Sequence, residues 1–493
     1  MDLKYISTRG DAREYSSSEA VIRGLCDDGG LFVPKSVPKL DKDISALVGK
    51  GYKEIAYEVL KLFFTDYPES ELKDCIEKAY DSKFDTDVYA PLCEHDGRYF
   101  LELFHGPTIA FKDMALSILP HLLTKALKMN GIEDKVLIMT ATSGDTGKAA
   151  LAAFADVENT KIIVFYPKGG VSNIQERQMV TQKGANTKVV GVNGNFDDCQ
   201  SAVKNMFNDD ALKAELAGKG YRFSSANSIN IGRLFPQVVY YVYSYVKMVE
   251  TGAISDGDKL DFVVPTGNFG NILAGFYAKQ MGVPVGKLVC ASNENKVLYD
   301  FFETGVYDRN RDFILTTSPS MDILISSNLE RLIYHSLGDD AAANRKLMDK
   351  LSGEGKYEID QNSRRYMDSF TGLFATEKQV AATIKKLFTE SGYVIDPHTA
   401  VAAYADLNYD RNGATKSVIV STASPYKFVG SVLSAIDPTL VTDDEFDMAD
   451  NLSGLSHVAI PDAITSIKNA PIRHNIVCDI GDMINTVRDF LDQ

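Results

Sequence analysis

Cysteine is scarce and unpaired in this chain. Six of its 493 residues are Cys, at 26, 75, 93, 199, 290 and 478, and none forms a CxxC pair. That excludes a disulfide scaffold and a zinc ribbon, and it reads as reduced thiols in a cytoplasmic protein. Histidine is equally sparse. The seven residues show no HxH or HExxH, so no metal is expected. Positive charge is short as well: 52 Lys and Arg against 67 Asp and Glu leave a formal net charge of −15. Such a balance argues against nucleic acid or an anionic membrane as partner, while leaving room for a local cationic pocket. Long apolar runs are missing. Val238-Val-Tyr-Tyr-Val-Tyr243 falls far short of a membrane span. The opening Met1-Asp-Leu-Lys-Tyr5 has no basic segment leading into an apolar one, so no signal peptide is expected.

What is present is a globular composition, 45% hydrophobic and 24% charged. The length exceeds one ordinary core and predicts two or three domains. Residues 1–95 read as a small αβ region, an N-terminal cap or domain. Ser16-Ser-Ser-Glu19 has the form of a capping box before Ala20-Val-Ile. Residues 52–64 and 70–80 have the apolar spacing of amphipathic helices. From residue 99 the pattern becomes strand, loop, helix, repeated. Strands are expected at 136–140, 161–166, 187–192, 260–264, 287–291 and 417–420, and helices at 148–155, 174–183, 196–208 and 272–281. This alternation predicts an α/β class with open parallel sheets flanked by helices, and ligands beyond the carboxyl ends of strands. Region 300–375 reads as an insertion without an arguable site. Residues 437–493 read as an acidic turn followed by a helical extension.

Chemistry concentrates in five places. Lys112 follows an apolar run and the breaker His105-Gly-Pro-Thr108, at the opening of a helical pattern that stops or kinks near Pro120. Read singly, it defaults to a solvated lysine. Partly desolvated, it would be an amine able to form an imine. Thr142-Ser-Gly-Asp-Thr-Gly-Lys148 lies between a strand and a helix, either an ordinary βα loop or an anion site at a helix N-terminus. It is no Walker loop, because only two residues separate Gly144 from Gly147 and Ala149 follows Lys148. Asn227, Ser228 and Arg233 bring an amide, a hydroxyl and a guanidinium close together. They are either a capped helix with a solvated arginine or a phosphate grip. Gly267-Asn-Phe-Gly-Asn271 reads as a phosphate cup and not as GxGxxG. Ser421 and Thr422 end the last strand in hydroxyls.

Together these stretches resemble the threonine synthase family, pyridoxal-phosphate enzymes of the tryptophan-synthase-β-like fold type II. The resemblance is carried by Gly29-Gly-Leu-Phe-Val-Pro34, His105-Gly-Pro-Thr-Ile-Ala-Phe-Lys-Asp113, Thr140-Ala-Thr-Ser-Gly-Asp-Thr-Gly147, Ser225-Ala-Asn-Ser-Ile-Asn230, Gly267–Asn271 and Ser421-Thr-Ala-Ser-Pro-Tyr-Lys-Phe428. Asn271 stands where aspartate is frequent, and Ser424 and Tyr426 where histidine and alanine are usual.

The resemblance implies two open twisted sheets, with a catalytic region at 96–436 and a smaller mobile part near 130–250. It implies Lys112 as the residue holding pyridoxal 5'-phosphate. It implies Gly267, Asn268, Phe269, Gly270 and Asn271 around the cofactor phosphate, and Thr422 facing the ring nitrogen. Thr142, Ser143, Gly144, Asp145 and Thr146 would hold the substrate end, chiefly its carboxylate. Asn227, Ser228 and Arg233, with Lys148 as a weaker candidate, would grip the substrate phosphate. The implied reaction converts O-phospho-L-homoserine and water into L-threonine and phosphate, in a monomer or homodimer. A hydroxy-amino-acid dehydratase of the same fold, or a non-catalytic cofactor binder, are the alternatives.

Overall fold

A computed structural model of the chain describes residues 2–142, 144–410 and 416–492. Two sheets organise it. The larger has six strands in the order Phe370–Phe374, Val285–Ser292, Leu260–Pro265, Lys416–Ser421, Arg98–Glu102, Leu92–His95. All its pairings are parallel except the last, where Leu92–His95 folds back on Arg98–Glu102. The smaller has five parallel strands in the order Ile476–Asp479, Thr187–Asn193, Thr160–Pro167, Lys135–Ala141, Tyr221–Ser224. The six strands expected from the alternation all form, each within two residues of its predicted ends. Their near-continuous apolar runs are what a parallel sheet covered on both faces requires.

The N-terminal region folds as its local signals dictate. Ser16 caps Ser17–Arg23, its hydroxyl accepting from Glu19 N while the Glu19 carboxylate accepts from Ser16 N. The strand Tyr5–Ser7 pairs antiparallel with Phe32–Pro34, and the helices Tyr52–Phe63 and Glu69–Ala79 follow. The lysine helix stops close to Pro120, as expected, and Pro120 itself begins the next one. It sits in the first turn of a second helix, Leu119–Met129, after the short Asp113–Leu116. A proline is tolerated there because that N–H has no intrahelical partner anyway.

The run Val238–Tyr243 becomes part of helix Pro236–Glu250, buried on nearly every side. A helix apolar all round belongs inside a large core, and this one packs between Tyr52–Phe63 and Gly270–Gln280. Among the described residues no helix is long and apolar enough to cross a membrane. The C-terminal segment holds more than the expected helices, because Ile476–Asp479 joins the edge of the smaller sheet. Its four residues are exposed or half-exposed, which hides the alternation that would have marked a strand.

The strand Arg98–Glu102 delivers the chain to His105, whose ring sits between two carboxylates. Nδ1 is 2.6 Å from Asp85 Oδ1 and Nε2 is 3.0 Å from Glu102 Oε2. Burial alone would depress this imidazole, but the two carboxylates outweigh it and raise its pKa from 6.5 to about 9. A pKa raised in the folded state gives stability that is complete below 6.5 and lost as pH rises through about 9. The loss should be on the order of 2–3 kcal/mol. Urea unfolding at several pH values across this window should show that fall, and His105→Gln should flatten it. A parent and variant with parallel pH profiles would mean that His105 titrates as an isolated side chain.

Candidate active site

Lys112 is placed by a locked turn. The Asp113 carboxylate accepts from Thr108 N at 2.8 Å and from Thr108 Oγ1 at 2.6 Å, while Phe111 N donates to Thr422 O at 2.8 Å. Gly106 leaves room for this. A Cβ there would fall 2.4 Å from the Asp113 Cβ. The turn aims Lys112 between the two sheets, with its side chain 11% exposed. Its amine donates to Ser320 Oγ at 3.0 Å and lies 3.4 Å from Asp145 Oδ2. Burial pushes the Lys112 pKa below its ordinary value, Asp145 opposes this, and Lys427 and Arg233 add to it. An amine so treated is a better nucleophile and base than a solvated lysine.

The loop after Lys135–Ala141 supplies Asp145 at the start of helix Asp145–Phe154. Asp145 is expected at the substrate end, and its side chain lies between two lysines. Its carboxylate takes Lys112 on one side and Lys427 on the other, at 3.1 Å from Lys427 Nζ, with Ser320 Oγ donating at 2.8 Å and Gln175 Nε2 at 3.1 Å. Burial would raise its pKa, but Lys427 and Lys112 hold it far below the usual range. A carboxylate that stays ionised repels a second one. Thr142 is also turned inward, its hydroxyl accepting from Gly144 N at 3.0 Å and Gly147 N at 2.9 Å. Gly144 stands at φ +133°, a conformation that favours glycine. Thr146 is half-buried in the first helical turn. Ser143 lies outside the described residues. Lys148 donates to Gln182 Oε1 at 2.5 Å, and burial lowers its pKa to about 8.

The Gly267–Asn271 loop leads from strand Leu260–Pro265 into helix Gly270–Gln280. Phe269 precedes that helix at φ 63°, a left-handed conformation uncommon for such a residue. The first helical N–H groups thus stand at the loop without intrahelical partners. At Gly267 a Cβ would stand 2.7 Å from Ser320 O, so only glycine fits. Asn268 O accepts from Asn328 N and Nδ2, which fixes the loop against residues 326–328. Asn271 Oδ1 accepts from the hydroxyls of Tyr240 and Tyr241, leaving its buried Nδ2 without a partner. A buried donor left unsatisfied beside free helix N–H groups fits a bound phosphate. Thr422 is buried at the end of strand Lys416–Ser421, one hydrogen bond from Phe111 and so next to Lys112. Lys112, the cup and Thr422 are brought together by Ser320, whose Oγ takes the Lys112 amine and whose backbone O abuts Gly267, and by Phe111 N on Thr422 O, and these residues fit pyridoxal phosphate.

Arg233 lies on the short helix Ile231–Leu234 and is 4% exposed. Its Nη1 donates to Ala226 O at 2.7 Å and its Nε is buried without a partner. No carboxylate pairs with it among the described residues, and burial lowers its pKa to about 10. Ser228 joins this side through Asn328, whose Nδ2 donates to its hydroxyl at 3.3 Å. Asn227 is exposed and, among the described residues, bonds to Ser225, Ser228 and Asn230 nearby in sequence.

Sequence reasoning missed Ser320, Asn328 and Lys427. The first two lie in the 300–375 region read as siteless, and their polar loop gave no motif to follow. Lys427 stood inside a quoted stretch, but nothing local marks it as buried. His398 was missed as well, and it accepts from Ser320 N at 3.2 Å while its Nδ1 lies 2.7 Å from Asp396 Oδ2.

A family model described as "Threonine synthase N terminus" matches residues 4–80, and one described as "Pyridoxal-phosphate dependent enzyme" matches residues 92–424. Threonine synthase from Pseudomonas aeruginosa is 38% identical over 437 residues, 88% of this chain and 90% of its own. The chain belongs to the threonine synthase family of pyridoxal-phosphate-dependent enzymes. The crystal structure of pyridoxal-phosphate-bound threonine synthase from Brucella melitensis is similar over 99% of both chains, with TM-score 0.88 and 36% identity. The human protein "Threonine synthase-like 1" is 42% identical over 434 residues, 85% of this chain but 58% of its own. This chain thus spans little more than half the length of that relative. The family's fold type II is the two-sheet arrangement described above.

The cup makes a graded prediction. Gly267→Ala should displace the segment at Ser320 and reduce cofactor retention at least about tenfold, since a Cβ this close forces backbone to move. Gly270→Ala should cost much less, because its Cβ would meet Asn328 Nδ2 at an ordinary 3.4 Å. Bound cofactor can be read by absorbance after gel filtration. Equal retention in both variants would place the phosphate elsewhere.

Proposed function

We propose that this chain converts O-phospho-L-homoserine and water into L-threonine and phosphate. One observation carries the reading. Arg233 is a buried guanidinium with no counter-ion among the described residues and with an unpartnered Nε. An uncompensated buried cation is costly, and a phosphorylated substrate removes that cost on binding. A dehydratase of unphosphorylated hydroxy amino acids has nothing to set against it. The family relationship and the N-terminal match at residues 4–80 support the same choice.

The roles follow from position. Gly267, Asn268, Phe269, Gly270 and Asn271 would hold the cofactor phosphate, Lys112 would hold its reactive end, and Thr422 would face the ring. When bound, pyridoxal phosphate supplies an electron-withdrawing ring that makes carbon-bound protons of the attached amino acid removable. Lys112, uncharged after release, takes the proton from the substrate Cα and carries it in later transfers. Asp145 Oδ2 stands beside that amine and stabilises it while it is an ammonium. Arg233, with Ser228 and Asn227, orients the substrate phosphate so that it leaves from Cγ, and water adds at Cβ. Asp145 and Thr146, in the first turn of helix Asp145–Phe154, would meet the substrate carboxylate through backbone N–H groups, with Ser143 near them in sequence and Gly144 N held by the Thr142 hydroxyl. Lys148 serves as a secondary cation. The monomer or homodimer state and the cytoplasmic location belong to this proposal, and the six free cysteines, buried or half-buried, suit a reducing compartment.

The direct test is phosphate release from O-phosphohomoserine with threonine identified as product. No release, together with turnover of serine or threonine, would favour the dehydratase. Lys112→Ala should abolish turnover, and borohydride treatment of the parent should fix the cofactor on Lys112 alone. Arg233→Ala should lower kcat/KM about ten- to a hundredfold, from a charge-assisted bond of about 1.5–3 kcal/mol. Arg233→Lys should recover only part, because the planar fork is lost. The visible spectrum should stay normal in both Arg233 variants. Unchanged phosphate release in Arg233→Ala would remove the assigned grip.

A further inference from the structure

We propose that Lys427 is a positioning residue for the Lys112 amine: its buried ammonium occupies Asp145 Oδ1, so that Asp145 cannot lock Lys112 as an ammonium. This rests on the reading of Lys112 as the base of the proposed reaction. No role described so far uses Lys427, although its side chain is 0% exposed.

The geometry is a chain of three groups. Lys427 extends from the turn Pro425–Phe428, just past strand Lys416–Ser421. Its Nζ donates to Thr108 O at 2.9 Å, in the turn that places Lys112, and lies 3.1 Å from Asp145 Oδ1. Asp145 Oδ2 then lies 3.4 Å from Lys112 Nζ. The lysine next to the carboxylate in the tighter pair is therefore the one with no chemistry to perform.

Charge counting gives the consequence. With Asp145 ionised and Lys427 an ammonium, a neutral Lys112 makes the trio neutral. Protonating Lys112 makes it +1, beside Arg233. In a desolvated site that extra charge is disfavoured, so the resting balance favours a free base. Remove Lys427, and Asp145 becomes an unpaired buried carboxylate whose best available partner is Lys112. The catalytic amine would then be held protonated. Other charged groups face the trio too. Arg233 and Lys427 disfavour the Lys112 ammonium and Asp145 favours it, while His398 acts on Asp145 and Asp113 and Lys148 face Lys427. Among these, Lys427 and Asp145 are the pair in contact.

The test uses the full-length chain stripped of cofactor. Lys112 is acylated with an amine-reactive anhydride over a series of pH values, and its labelling is read by peptide mass spectrometry. The midpoint of the rate reports the titration of the amine. Lys427→Gln should raise that midpoint by about one pH unit, a tenfold fall in free base at a given pH. Lys427→Arg, which keeps the charge, should stay near the parent. Asp145→Asn should lower the midpoint, and adding Lys427→Gln to it should shift the midpoint far less than in the parent background, because the carboxylate through which Lys427 acts is gone. If Lys427→Gln does not fold, Lys427→Met, which keeps the side-chain length without the charge, carries the same comparison. In the loaded enzyme, the acid limb of kcat against pH should move upward in Lys427→Gln with little change in KM. A Lys427→Gln midpoint equal to the parent's, or a Lys427→Gln shift as large in the Asp145→Asn background as in the parent, would overturn the role. A chain that releases no phosphate from O-phosphohomoserine but shows these shifts would keep the role of Lys427 and lose the proposed activity.

Discussion

The ion pair of Asp145 with Lys427, and the looser approach of Lys112 to the same carboxylate, is the contact on which the arrangement depends. Asp145 belongs to the smaller sheet, and Lys427 and Lys112 to turns at the end of the larger. One buried carboxylate thus joins the two halves and sets the charge seen by the amine between them. Buried ion pairs add little net stability, because desolvation offsets the Coulomb gain. Their geometry is what they contribute. Ser320 and Gln175 saturate the remaining lone pairs, so the carboxylate has one orientation and the site one alignment.

The N-terminal region, without chemistry of its own, braces this site from outside. Asn230 Nδ2 donates to Val21 O at 2.9 Å, and Arg331 Nε donates to Phe32 O at 2.9 Å. Arg331 also donates to Ile229 O and to Asn328 Oδ1, both at 2.5 Å. Two strands of backbone near Arg233 are therefore pinned by residues 21–32. A fully buried arginine used this way satisfies three acceptors that a hydrophobic side chain would orphan. This accounts physically for a chain that keeps some ninety residues ahead of its catalytic sheet.

Much of the fold was legible because parallel strands covered on both faces are apolar throughout, and because glycine-rich loops punctuate them. The strand Thr187–Asn193 and the helix Phe196–Asn208 could be placed to within a residue at each end. The exposed edge strand Ile476–Asp479 could not, because a strand with both faces wet carries no period-two signal. At the site, the motif residues could be read and their long-range partners could not. Ser320 meets Lys112 across 208 positions of sequence, and no local pattern encodes such a meeting. The sign of a role was also illegible: Asp145 lies in an anion-binding type of loop, yet two lysines claim its carboxylate. Asn271 departs from a frequent aspartate without loss, since the two tyrosine hydroxyls need only an acceptor.

One rigid element ties the two anion sites together. Gln237 Nε2 donates to Arg233 O at 2.8 Å, and the single hydroxyl proton of Tyr240 serves Asn271 Oδ1 at 2.7 Å while its oxygen lies 3.1 Å from Gln237 Oε1. A run of polar contacts thus leads from the backbone of Arg233 to the cup at Gly270. It is carried on helix Pro236–Glu250, which the core encloses on nearly every side. Two cations or dipole ends at a fixed separation measure length. On the proposed reading, a substrate places its phosphate at Arg233 while its amino-acid end reaches Lys112, and the spacing that helix Pro236–Glu250 sets between Arg233 and the cup then contributes to specificity beside the chemistry at either end.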